Sequence, residues 1–135
     1  AMKAIARYFV AAGGALLGAA TTAAGQEEPP SVPSGIPLTL QEILLEQGPD
    51  TVTMARFRYV APGLEGYGFA GVEGDFPVLC SDVVLPWAAA QGEPVGRVVI
   101  SMASAATEFG TAAPDVVQFF EVFRLEPSAC IWEGL

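Results

Sequence analysis

The chain has 135 residues, a formal charge of −9, two cysteines and no histidine, and its one lysine is Lys3. These counts exclude Ser-His-Asp and Cys-His catalysis, leave no lysine past residue 3 for a Schiff base or a Ser-Lys dyad, and supply too few imidazoles and thiolates for a zinc or copper site. What remains for chemistry is carboxylates, arginine, tyrosine and hydroxyls, and no cofactor and no metal are expected.

The first element is an export signal. Lys3 and Arg7 precede an apolar run that ends in the small residues Ala23, Ala24 and Gly25, just before Gln26, Glu27 and Glu28. A charged start, an apolar middle and a small-residue cleavage site make a secretory signal peptide over residues 1–25. Its run is rich in alanine and interrupted by Gly13 and Gly14, so cleavage is expected rather than retention as an anchor. Removal leaves four arginines against 15 carboxylates, a formal charge of −11. Such a field repels nucleic acid and anionic lipid surfaces and favours cationic partners. The expected location is the periplasm of a Gram-negative bacterium, or outside the cell, with no membrane insertion after cleavage and an oligomeric state left open.

Residues 26–37, QEEPPSVPSGIP, carry four prolines in twelve positions. They predict a solvated, extended lead-in, followed by a single globular domain over residues 38–135. Thr39 and Glu42 fit a capping box, and Leu40, Ile43 and Leu44 recur at helical spacing, so a short helix is predicted there, stopped by Gly48 and Pro49. Residues 51–61 alternate strictly. Ala55, Phe57, Tyr59 and Ala61 point one way and Met54, Arg56, Arg58 and Val60 the other, the pattern of a strand with one wet face. Arg56 and Arg58 then stand side by side as a candidate anion-binding pair, with surface carboxylates as the more ordinary partners.

Residues 62–75 are glycine-rich and predict a loop. Gly66, Gly68 and Gly71 match the G-x-G-x-x-G string, but the dinucleotide fingerprint needs a strand before it and a helix directly after it, and neither is predicted. Glu65, Glu73 and Asp75 lack EF-hand spacing. Asp75 can cap a second helix over residues 76–85, which carries Cys80 and is limited by Pro86 before Trp87. Residues 95–102 predict a central strand and 103–115 a polar loop. Residues 116–125 fit both periods poorly and Asp115 could cap a helix there, but a strand is favoured because Pro127 and Ser128 then turn the chain into residues 129–132. Cys80 and Cys130 form the one available disulfide in an oxidising compartment. The expected fold class is α+β: an antiparallel sheet of about four strands with two helices on one face. Neighbours such as Phe119 and Phe120 must face opposite sides of a strand, so Phe120, Trp132 and Trp87 are candidates for a contact surface.

The strings MARFRYVAP (54–62), CSDVVLP (80–86), RVVISMAS (97–104), EFG (108–110) and QFFEVFRLEPSACIWEGL (118–135) resemble a family of small exported bacterial proteins of unknown function. The ending ACIWEG is the most specific part. Some members of that family carry the label acetolactate synthase, which does not fit this chain. Enzymes of that kind resemble thiamine-diphosphate proteins several times longer, and no cofactor motif is present here. The resemblance implies no catalytic residues. The composition favours a non-catalytic periplasmic accessory or binding module, with an envelope protein as its partner. The alternatives are a structural component of an envelope complex and a carboxylate-dependent hydrolase.

Overall fold

A computed structural model describes residues 28–47 and 52–134. The predicted signal peptide (1–25), the start of the lead-in and the helix stop at Gly48 and Pro49 lie outside the described residues. Five strands form one sheet in the order β1 (Thr39–Gln47), β2 (Thr53–Val60), β3 (Arg97–Ala103), β4 (Gln118–Glu126) and β5 (Ala129–Trp132). The class is α+β, but the sheet is mixed, not antiparallel. β2 and β3 run parallel because a helical crossover joins them, and the other three pairs are antiparallel.

The extra strand is β1, where the sequence predicts a helix. Leu40 pairs with Tyr59 and Ile43 with Phe57, so three residues of β1 span two of β2, with an irregular register between Leu40 and Glu42. That bulge stretches the strand period to a spacing of three, which imitates a helix. A helix of nine residues is marginal alone, and pairing with β2 outweighs its intrinsic preference. It also sets Glu42 opposite Arg58 and Glu46 opposite Met54, beside Arg56.

The glycine-rich segment is helical, contrary to the predicted loop. α1 (Leu64–Val72) buries Leu64 and Val72 and is kinked at Gly68, where φ is 69° and ψ is 171°. A side chain rarely adopts that backbone, so glycine here lets two short helical turns change direction. A second helical stretch follows: α2 (Asp75–Leu79), a π-helical turn (Cys80–Val84) and α3 (Leu85–Ala89). Pro86 does not end it. Proline offers no N–H and crowds the carbonyl four residues back, and the wider π turn just before it relieves both.

These helices cover one face of the sheet. Phe57, Tyr59, Val98, Ile100, Met102 and Phe123 from the strands pack with Val72, Phe76, Leu79 and Val84 from the helices. Each such burial stabilises by about 1.5–3 kcal/mol. Cys80 and Cys130 are bonded, which ties the π turn to β5 across a sequence separation of 50. Closing a loop of that size is worth about 4 kcal/mol in the chain-entropy model.

The lead-in is not wholly solvated. Val32 and Ile36 belong to the core. Asp75 does not cap its helix. Its buried carboxylate accepts hydrogen bonds from the Ser34 backbone N–H at 2.9 Å and the Ser34 hydroxyl at 2.5 Å, which holds the lead-in against the start of α2. The Tyr59 hydroxyl is buried without a hydrogen-bond partner among the described residues. Burial pushes its pKa up to about 12.

Candidate functional site

The two faces of the sheet differ in chemistry. On the helix-free face, β2 presents Met54, Arg56, Arg58 and Val60, and β3 presents Arg97, Val99, Ser101 and Ala103 in register with them. β4 continues that face with Arg124, Val122, Phe120 and Gln118. All four arginines among the described residues therefore share one side of the sheet.

Each of the four has a carboxylate partner. Arg56 pairs with Glu46 and Arg58 with Glu42. Arg97 meets Glu133 at 2.8 Å, and Arg124 meets Glu126 at 3.1 Å. The candidate pair Arg56 and Arg58 thus does share a face, with the surface carboxylates as its partners. Arg58 is only 6% exposed. Its guanidinium also donates to the Thr107 carbonyl at 3.1 Å and hydroxyl at 3.2 Å. The Gln41 amide donates to the same carbonyl at 2.9 Å. Residues 104–117 are thereby drawn across the face, and the Phe109 ring lies over both arginines, 5.1 Å from Arg56 and 5.4 Å from Arg58. Such contacts over a ring face are attractive by about 0.5–1 kcal/mol when exposed.

Between that loop and β4 lies a depression of about 160 Å³ lined by Arg56, Arg58, Val99, Ser101, Phe109, Gln118 and Phe120. Phe120 is 49% exposed and Phe109 48%. The floor offers guanidinium and hydroxyl donors and the walls are aromatic. That combination suits an apolar group bearing a carboxylate, which would compete with Glu42 and Glu46 for the arginines.

The candidate contact residues do not form one surface. Phe120 lies on the helix-free face, whereas Trp132 pairs with Phe123 and lies on the helix side. Trp87 is half-buried, edge-on to Phe57 with ring centroids 5.1 Å apart, and serves the core. Phe109 carries no candidate role in the sequence. A lone aromatic in a loop of small and polar residues is the signal that could have marked it. Among the described residues, no three Asp, Glu, Cys or His side chains gather as a metal site, and no helix is long and apolar enough to cross a membrane.

A family model described as a family of unknown function, DUF6497, matches residues 12–135. The chain belongs to that family. The match covers both faces of the DUF6497 sheet, the disulfide and the loop that carries Phe109. No curated protein and no solved structure matches the chain.

Proposed function

We propose that this DUF6497 protein is an exported, non-catalytic binding module of the cell envelope that holds a protein partner on the helix-free face of its sheet. One observation carries this reading. In a chain of net charge −9, all four described arginines sit on that face, balanced by carboxylates and flanked by exposed Phe109 and Phe120. Elsewhere the surface is acidic and would repel another acidic protein. On this face charges of both signs and aromatic rings can meet a partner without that repulsion. Within the face, the depression beside Arg56 suits a partner's carboxylate-bearing side chain.

The alternative of a structural envelope component requires an exposed apolar patch with Trp87 or Trp132 in it. Trp132 is exposed but borders Glu73 and Glu121, and Trp87 packs against the core. For the hydrolase alternative, Glu42, Glu46, Glu126 and Glu133 are each engaged by an arginine, which takes these four out of the carboxylate pair it requires. Export itself rests on residues 1–25, and intact-mass measurement of protein recovered from the envelope should find a chain that begins near Gln26. A mass that retains residues 2–25 would replace export and cleavage with anchoring.

The test of the binding face is affinity purification of the tagged protein from its native envelope beside Phe120→Ser and Arg56→Gln. A partner retained by the wild type and lost from both variants, with unchanged melting temperatures, supports the reading. Equal recovery from all three contradicts it.

A further inference from the structure

A second site lies on the other side of the sheet, at its β5 end. We propose that the edge of β4 beside Trp132, unpaired among the described residues, binds an extended segment of a partner protein, and that a basic side chain of that segment enters the pocket formed by Glu73, Glu121 and Trp132. This goes beyond the helix-free face: Phe120 gives its side chain to that face and its backbone to this edge, and variants at Glu73 and Glu121 separate the two sites.

The edge comes first. β5 pairs with β4 only from Phe123 to Glu126, and the Glu133 N–H then donates to the Val122 carbonyl at 3.0 Å. Alternate residues of a strand direct their backbone groups to the same side, so Gln118 and Phe120 point theirs the way Val122 does, away from β3. Among the described residues, no backbone group pairs with them there. An uncovered strand edge is a template for an added strand.

The pocket comes second. Glu73, Pro77, Glu121, Phe123 and Trp132 line a cavity of about 180 Å³ next to that edge. Trp132 is 62% exposed, yet its ring is held on two sides. Its Nε1–H donates to the Glu121 carboxylate at 2.9 Å. Its six-membered ring lies against Gly134, where a Cβ would come within 3.2 Å of it and where φ is +70°. An exposed indole fixed in this way presents its surface with little ordering left to do on binding.

Charge complementarity selects the occupant. Two carboxylates and an indole ring suit a guanidinium or ammonium group, through ion pairing and the attraction of a cation to an aromatic face. Phe123 and Pro77 suit the aliphatic stem of arginine or lysine. The net charge of −9 steers a cationic segment towards the molecule. The Phe120 and Gln118 backbone, unpaired among the described residues, favours a peptide over a free amine.

The probe is the peptide acetyl-Val-Thr-Arg-Val-Thr-amide, compared by calorimetry with its citrulline counterpart and with argininamide. The arginine peptide should bind and shift the Trp132 emission. The citrulline peptide should bind about ten-fold more weakly or worse, and binding should weaken as salt rises. Glu121→Gln and the surface variant Glu73→Gln should each weaken the arginine peptide while the melting temperature holds. Equal affinity for the two peptides, or no binding at millimolar peptide, overturns the proposal. Argininamide binding as tightly as the peptide overturns the role of the strand edge.

Discussion

The two faces of one sheet show how the same five strands separate a buried core from an arginine-bearing surface. The helix side carries the core, is closed by a disulfide, and holds none of the described arginines. The other side holds all four of them, each paired, with two phenylalanines half in water. Because side chains alternate along each strand, a change of one position moves a substitution from one role to the other.

Phe57→Ala and Phe120→Ser sharpen that contrast most. Phe57 is fully buried against Trp87, and its truncation should cost about 3–5 kcal/mol in denaturant unfolding. Phe120→Ser, on the opposite face, should shift stability by less than about 1 kcal/mol. Similar losses at both positions would erase the distinction between the faces. Cys130→Ser removes the bond that clamps β5 to the helices and should cost about 2–5 kcal/mol. Ellman titration of the denatured, unreduced wild type should find no free thiol.

Tyr59 gives a pH test of the buried face. Its pKa is about 12 in the folded protein, against 10.0 for an unperturbed phenol. The unfolded chain therefore loses this proton first as pH rises, so the tyrosine's contribution is intact below pH 10 and is lost between about pH 10 and 12. The loss should reach about 2–3 kcal/mol across that window. Tyr59→Phe should flatten the decline, and at neutral pH it should be near neutral, since the hydroxyl has no partner to lose. An unchanged alkaline decline in that variant would contradict the assignment. Gly68→Ala meets open space, so its effect is purely conformational. It should cost about 1–3 kcal/mol, read from the denaturation midpoint.

How much of this was legible depended on whether the period of the chain survived. β2 was legible because Ala55, Phe57, Tyr59 and Arg56, Arg58 alternate without interruption. β1 was not, because the bulge near Gln41 gave Leu40 and Ile43 the spacing of a helix. α1 was hidden by Gly66, Gly68 and Gly71, which lower helix preference; buried Leu64 and Val72 overcome that cost. Val32 and Ile36 reach the core as single residues among prolines, too sparse to show a pattern. At the candidate site, the shared face of Arg56 and Arg58 followed from alternation. For Phe119 and Phe120, alternation set them only on opposite sides, and the pairing of Phe120 with Ser101 shows which of them turns outward. Phe109 and Thr107 did not, since they arrive from a loop whose path is set by Arg58, a contact 49 residues distant.

The most direct test of the central claim is photo-crosslinking in the native envelope from a benzoylphenylalanine placed at Phe120, compared with one at Asp82 on the exposed helical surface. The account expects a discrete protein adduct from position 120 and none from position 82. Adducts from position 82 with none from position 120 would contradict it, because the partner would then contact the helical surface around Asp82 and not the helix-free face.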